Sequence, residues 1–275
     1  MEPTSEANRR ITIRCTRSRG PRGFFCLQVD RRGPVIVDVI RLLPMKNASQ
    51  IRDMLLERLL VCLRAPSMCG GELGVLNLME YLTFIDDRED EWKAQRSALN
   101  ESGAFGSTGV HAGFWSATRQ TKHNDSQVAS VYALIAYEMG YLNADSFARI
   151  LTPNEYSQLL GKLDDAFLAK NQTNAEIIEE FGIPSMRWGT NDNYPCFLLY
   201  IDSSSPLRFC YFDCWAEFHK DESGCMVPGK YGPSPILRNI RIPSKTFVDQ
   251  FRFTTFGKRL KAKSVKRKHR NKNGG

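Results

Sequence analysis

The first part of the chain alternates hydrophobic and polar residues in short segments. Residues 11–15, 24–29 and 35–40 each predict a strand, because a period of two places every second side chain on a core. Gly-Pro pairs at 20–21 and 33–34 separate them. Such pairs are typical of turns, since Gly permits positive φ and Pro holds φ near about −65°. We therefore predict an N-terminal antiparallel meander.

The middle of the chain changes to a helical period. Apolar residues recur at every third or fourth position over 51–63 and over 128–139. Two further helices are predicted to begin after Thr152 and Thr173. At each site a Thr is followed three residues later by Glu, and this capping box satisfies backbone N–H groups at a helix start.

Two segments are harder to interpret. Residues 70–85 fit a strand or a helix, and periodicity alone does not separate the two. Residues 99–127 contain four glycines among Ser, Thr and Asn and show no sustained period. We therefore predict a Gly/Ser-rich loop or domain linker there.

The period of two returns in the last third of the chain. Residues 197–201 and 207–218 predict a hairpin across a polar turn, and residues 236–242 predict another strand. The fold class is therefore α+β, with N-terminal antiparallel strands, central helices, C-terminal antiparallel strands and a disordered basic tail. The predicted parts are 8–98, the linker 99–127, a helical and β-hairpin part 128–256, and the tail 257–275. The first and third parts form either one domain or two.

Composition is that of an ordinary globular protein, but the charge is unevenly placed. The 275 residues are 42% hydrophobic and carry a net charge of +8, which excludes a mainly disordered chain or a coiled-coil rod. Basic residues concentrate at the two ends and leave the middle acidic. No apolar run reaches the roughly 18 residues of a membrane span, so we expect no membrane partner. Eight cysteines and no secretory signal predict an intracellular protein, cytoplasmic or nuclear, with reduced thiols.

The C-terminal tail carries the strongest functional signal. Its cations are unaccompanied by acids, so we expect self-repulsion, disorder and attraction to phosphates. The tail has no aromatic residues for base stacking, which predicts sequence-independent binding. The candidate contacts are Lys258, Arg259, Lys261, Lys263, Lys266, Arg267, Lys268, Arg270 and Lys272, helped by Arg17, Arg19 and Arg22 in a predicted N-terminal turn.

Three cysteines and a histidine form a candidate zinc set near the predicted hairpin. Their order, Cys210, Cys214, His219 and Cys225, resembles a retroviral-type zinc knuckle, but two of the three gaps are one residue too long. In an extended strand Cys210 and Cys214 lie about 13 Å apart, too far to share one ion. We therefore favour core cysteines and predict no metal or other cofactor.

An acidic run suggests an alternative class. Asp86, Asp87, Glu91 and Lys93 have the residue types of a metal-dependent nuclease, in which acids hold Mg²⁺ and Lys helps activate water. Those enzymes place the acids on neighbouring strands, a distance that five residues do not span. A solvated charge run is the better interpretation.

We therefore expect a non-enzymatic accessory protein that binds RNA or DNA phosphates through its tail, with the folded body as a surface for a protein partner or for self-association. Two alternatives remain open. One is a protein-interaction module whose tail is only a targeting signal, and the other is the metal-dependent nuclease.

Overall fold

The fold is taken from a computed structural model that describes residues 47–119, 125–189, 195–229 and 232–272, with only the backbone from 265 onward. The described residues, from Asn47 onward, form one compact unit. The predicted N-terminal strands, together with Arg17, Arg19 and Arg22, lie outside the described residues.

Helices and strands alternate in blocks along the described chain. The helices are α1 (Ala48–Arg64), α2 (Gly71–Ile85), α3 (Glu89–Glu101), α4 (Val110–Thr118), α5 (Asp125–Glu138), α6 (Pro153–Lys162), α7 (Asp165–Ala169), α8 (Asn174–Phe181) and α9 (Thr255–Lys272). Short 3₁₀ turns occupy Pro66–Cys69, Ala144–Ser146 and Val248–Gln250. The strands are β1 (Met186–Trp188), β2 (Cys196–Asp202), β3 (Ser205–Trp215), β4 (Phe218–Lys220), β5 (Met226–Pro228), β6 (Ile236–Arg241) and β7 (Phe251–Phe253).

Five of these strands form one antiparallel sheet in the order β1-β2-β3-β6-β7. The predicted hairpin is confirmed as β2 and β3, paired from Cys196 opposite Cys214 to Ile201 opposite Phe209. The predicted strand at 236–242 is confirmed as β6. Between β3 and β6 the chain makes a separate two-stranded ribbon from β4 and β5.

The sheet is buried on both faces, each covered by its own group of helices. Side chains of β2 alternate between two cores: Phe197 and Leu199 pack with α1, α2 and α5, whereas Leu198 and Tyr200 pack with α6, α7 and α8. A strand buried on both sides has no solvent face, so every residue of β2 is buried. The mixed helix and sheet composition agrees with the α+β class.

Helix α5 is the central helix of the larger core. Eleven of its residues are buried, including Ser126, Gln127 and Ser130 as well as the apolar face predicted from the sequence. Its alanines at 129, 133 and 136 are buried as well. A helix buried around its whole circumference needs hydrogen-bond partners for its polar side chains.

Segment 70–85, which the pattern left open, is a helix. The expectation of a loop at 99–127 is wrong, because α3 runs to Glu101, α4 begins at Val110 and α5 begins at Asp125. The glycines that suggested a linker mark helix ends and a close contact instead. Gly103 follows α3 with φ +76, Gly109 precedes α4 with φ +72, and a Cβ at Gly113 would lie 2.3 Å from the Ala104 carbonyl oxygen.

Both capping boxes are confirmed in the structure. The Glu155 carboxylate accepts hydrogen bonds from the Thr152 backbone N–H at 2.7 Å and from the Thr152 hydroxyl, which accepts in turn from the Glu155 N–H. These hydrogen bonds hold the pKa of Glu155 down at about 2, with a further contribution from Arg149.

Replacing Thr152 with Ala should lower the free energy of unfolding by about 1 kcal/mol, because the backbone N–H of Glu155 loses its acceptor. Thr152→Ser keeps the hydroxyl and is the matched control. Chemical denaturation at pH 7 measures both. Because the folded pKa of Glu155 is depressed, its contribution is complete above the unfolded value and is lost as the pH falls toward about 2. An alanine variant as stable as the serine variant would contradict the assignment.

Candidate nucleic-acid interface

Helix α9, which carries the candidate cations, starts on the edge region of the sheet formed by β6 and β7. The Thr254 hydroxyl accepts a hydrogen bond from the Gly257 backbone N–H at 3.1 Å and donates to the Leu237 carbonyl oxygen at 2.7 Å. Phe256 is buried in the body. A Cβ at Gly257 would lie 1.9 Å from the Arg238 carbonyl oxygen, so only glycine allows this approach. The start of α9 is therefore fixed to β6.

Two cations in the first half of α9 share one carboxylate. Arg259 contacts a Glu217 carboxylate oxygen at 2.7 Å and Lys263 contacts the other at 3.4 Å. These residues are spaced by four positions and so lie on one side of the helix. Glu217 follows β3, so this pair of contacts ties α9 to the sheet a second time.

A third attachment joins α9 to the end of α4. The Lys261 ammonium donates to the Ala117 carbonyl oxygen at 2.8 Å, and the Ser264 hydroxyl donates to the Arg119 carbonyl oxygen at 2.5 Å. Carbonyl groups at a helix C-terminus lack partners within the helix, so these donors complete α4. Burial lowers the pKa of Lys261, and the nearby Arg119 charge lowers it further.

The tail was expected to be disordered from residue 257, but the structure places residues 255–272 in a helix. The attachments to Arg238, Glu217 and Ala117 stabilise it, and the sequence pattern gave no sign of them. Lys258 is exposed, whereas Arg259, Lys261 and Lys263 contact the body. For Lys266, Arg267, Lys268, Arg270 and Lys272 the structure gives a helical backbone position.

Arg238, whose carbonyl oxygen lies against Gly257 at the start of α9, binds a buried carboxylate with its side chain. Oδ2 of Asp213, on β3, accepts hydrogen bonds from Gln127 Nε2 at 3.0 Å, Asn239 Nδ2 at 2.8 Å and Arg238 Nε at 3.1 Å, and from Arg238 Nη2. Asp213, Gln127 and Asn239 are fully buried and Arg238 is 1% exposed. Helix α5 and strands β3 and β6 therefore meet at one charged atom.

A β-bulge in β6 makes this convergence possible. Asp213 pairs with Asn239 while the next residue, Cys214, pairs with Leu237, so Arg238 is an extra residue on β6. A bulge lets two successive residues reach the same side of a sheet. Arg238 and Asn239 can therefore both bind Asp213, and the Arg238 guanidinium lies 4.4 Å from the centre of the Trp215 ring.

Arg241 is a second buried cation on β6, held by aromatic rings. Its guanidinium lies 4.7 Å from the Phe209 ring centre and 5.2 Å from that of Tyr211, and Nη2 donates to the Ser130 hydroxyl at 3.0 Å. No carboxylate among the described residues forms an ion pair with it. Burial lowers the pKa of Arg241 to about 10, so it stays charged at neutral pH.

The structure does not bring the candidate zinc residues together. Cys210 and Cys214 are fully buried in the second core with Phe212, as expected for core cysteines, and burial raises the pKa of both thiols. His219 lies on β4, and Cys225 is exposed beside β5. Within the described ranges, no cluster of three or more His, Cys, Asp or Glu side chains could hold a metal ion.

The acidic run lies at the end of α2 and on α3. Several of its side chains form ion pairs there. Asp86, which follows α2, pairs with Arg52 near the start of α1 at 2.8 Å, and Lys93 pairs with Asp90 at 2.7 Å on an exposed surface. Glu91 pairs with Arg88 one helical turn away. Asp90, Glu91 and Lys93 are exposed, as a solvated charge run predicts, whereas Asp86 is only 15% exposed.

Sequence reasoning missed a polar cluster where three helices begin. The Asp125 carboxylate accepts from the Ser67 hydroxyl at 2.9 Å and lies 3.4 Å from His111 Nε2. Here the acid lies between the hydroxyl and the imidazole, whereas a hydrolase triad needs the imidazole between the other two. Ser67 and Asp125 are 58 positions apart and belong to no common motif, so the sequence did not indicate that they meet.

Comparisons with family models, curated proteins and solved structures find no match for this chain. The function is therefore inferred from the site itself. Over the part of the chain that the structure describes, each helix is too short or too polar to cross a membrane.

Replacing Asp213 with Ala should lower the free energy of unfolding by about 3–5 kcal/mol, because the buried Arg238 guanidinium then has no carboxylate partner. Asp213→Asn keeps an acceptor oxygen of the same shape, so its loss should be smaller. Urea denaturation at pH 7 compares the two. Equal, small losses would show that the carboxylate does not hold β3, β6 and α5 together.

Proposed function

We propose that the protein binds RNA or DNA through the phosphate groups, independently of sequence, using the cations of α9. The observation that supports this most directly is the chemistry of this helix. Between Thr255 and Lys272 it carries nine Lys and Arg residues and no acid. A single-sign cationic helix attracts a polyanion and displaces its condensed counterions.

The attachments of α9 divide this helix into two parts with different roles. The helix is held to the body by Arg259, Lys261 and Lys263. These side chains already interact with groups of the body, so part of their charge is compensated there. Lys266, Arg267, Lys268, Arg270 and Lys272 follow on the same helical segment within about two turns. A helix fixed at its start presents a cationic segment that need not fold on binding, which reduces the ordering entropy of binding.

Two further features favour phosphate contact over base reading. Residues 257–275 contain no Phe, Trp or Tyr, and base stacking on single strands depends mainly on such side chains. Arg119 is exposed and lies beside Ser264, so it extends the basic surface onto the body. The protein would act as an accessory protein in the cytoplasm or nucleus, with no cofactor and no chemistry of its own.

A shortened chain that ends at Ser264 distinguishes the residues that attach α9 to the body from those that we propose bind phosphate. It keeps every described α9 side chain that contacts the body and removes five cations. We expect binding to a mixed-sequence oligonucleotide to weaken at least about tenfold near 50 mM salt, and the slope of log K against log salt to flatten by up to about 4. Fluorescence anisotropy across a salt series measures both. The melting temperature should stay unchanged, since the deleted residues follow the last attachment.

Unchanged affinity and slope in the shortened chain would overturn the proposal. Full-length protein that ignores oligonucleotides even at low salt would favour the targeting-signal alternative. Divalent-dependent cleavage of the oligonucleotide that is lost on Glu91→Ala would favour the nuclease.

Replacing Lys266, Lys268 and Lys272 together tests whether charge alone determines binding. The Gln triple variant should flatten the salt slope by about 2–3, one phosphate contact for each lost cation. The Arg triple variant is the matched control, and its slope should equal that of the native chain. Loss of binding in the Arg variant would point to specific lysine geometry in place of electrostatic attraction.

A further inference from the structure

Six large apolar side chains are exposed on α1, on α2 and in the turn that joins them. On α1, Met54 and Val61 are seven residues apart, and on α2, Leu73 and Phe84 are eleven residues apart. These spacings are close to whole numbers of helical turns, so each pair lies on one side of its helix. The six residues, which we call the α1–α2 face, have exposed fractions between 44% and 87%: Met54, Val61, Met68, Leu73, Tyr81 and Phe84.

The exposed stripes of the two helices lie on the same surface of the protein. Helices α1 and α2 pack against each other, and both pack against α5. The ion pair between Arg52 and Asp86 joins the helix ends remote from the turn, so the helices lie side by side. Their buried side chains belong to the larger core around α5. The two exposed stripes therefore point away from that core, next to each other.

The apolar area of the α1–α2 face is large for a single chain. At roughly 150–250 Å² for a large side chain, six side chains at these exposures present on the order of 600 Å². The largest apolar patch of an ordinary monomer is about 300–600 Å². Each partner in a standard protein–protein interface buries about 800 Å². With the polar residues at its edges, this face is large enough for one such interface.

The charges around the face balance. Helix α1 exposes two acids and two bases: Asp53, Glu57, Arg58 and Arg64. On α2, Glu80 pairs with Arg96 of α3 at 3.2 Å. The face is therefore close to neutral, although the whole chain carries a net charge of +8. A second copy of the chain is not repelled here, and a polyanion gains no attraction.

Glu57 and Arg58 favour one orientation of a second copy. Successive residues of a helix are about 100° apart around its axis, so Glu57 and Arg58 lie on opposite edges of the stripe formed by Met54 and Val61. A two-fold rotation about an axis parallel to α1 brings opposite edges of the two copies together. Glu57 of one protomer then lies beside Arg58 of the other, and this contact occurs twice.

We propose that the α1–α2 face is the interface of a two-fold symmetric homodimer whose axis runs parallel to α1. The occupant is a second copy of this chain because the face combines the area of a stable interface with a neutral, self-complementary charge pattern. The interface does not depend on nucleic-acid binding, so the dimer and the proposed function are tested separately.

Sedimentation equilibrium of the full-length protein tests the dimer. The protein is first treated with nuclease and is kept in about 0.5 M salt, which removes bridging by nucleic acid. Salt does not screen apolar contacts, so we expect twice the monomer mass at about 50 µM protein. A protein that stays monomeric at about 100 µM would overturn the proposal.

A matched pair of substitutions tests the location of the interface. Leu73→Glu puts a charge into the face twice, once in each protomer, and should raise the dimer dissociation constant at least about tenfold. Leu207→Glu is the control, because Leu207 lies on β3 and is 57% exposed against 65% for Leu73. Its dissociation constant should equal that of the native chain. Circular dichroism checks that both variants are folded, and equal dissociation constants for the two would contradict the assignment.

Exchanging the two charges tests the direction of the axis. At about 0.1 M salt, Glu57→Arg and Arg58→Glu should each weaken the dimer about three- to tenfold, because like charges then meet across the interface. The double variant restores opposite charges and should dimerise as the native chain does. A double variant no tighter than the single variants would overturn the proposed arrangement.

Discussion

The hydrogen bonds to Asp213 are the interaction on which the rest of the fold depends. A buried carboxylate is costly unless donors surround it, and here four donor groups from α5 and β6 converge on one oxygen. They fix the bulge in β6, and the bulge places the Arg238 carbonyl oxygen against Gly257. Arg238 thus makes two contacts. Its side chain neutralises the buried Asp213 carboxylate, and its carbonyl oxygen packs against Gly257 at the start of α9. The buried hydrogen-bond network around Asp213 therefore determines the position at which α9 projects from the body.

The sequence predicted those parts of the fold whose signals are local. Thr152 and Glu155 are three residues apart, and the hairpin partners of β2 and β3 lie on either side of one polar turn, so pattern and turn chemistry identified both. The cores on the two faces of β2 could also be expected from its unbroken apolar run. By contrast, the glycines near Gly103 and Gly113 looked like a linker. Their use as a helix end and as a close contact with Ala104 depends on tertiary packing.

The candidate site was predictable in composition but not in structure. Lys258 to Lys272 stand out as a run of one charge sign, and charge repulsion argued for disorder. The helix is stabilised by residues far away in the sequence: Ala117 and Arg119 accept hydrogen bonds from Lys261 and Ser264 across about 145 positions. The cysteines show the same limit, since the spacing from Cys210 to Cys225 resembles a metal-binding motif, while the structure buries Cys210 and Cys214 in the core and leaves Cys225 exposed.

Glu217 sets how strongly the body itself competes for the cations of α9. It pairs with Arg259 and Lys263, and these side chains are 24%, 35% and 60% exposed. Ion pairs at such exposure contribute about 0–1 kcal/mol each, because solvent screens them and side-chain entropy opposes them. A polyanion that engages several cations at once releases a counterion for each phosphate, and this gain grows with every contact. The body therefore orients the helix without saturating its charge, since a single carboxylate cannot outweigh the phosphates of even a short oligonucleotide.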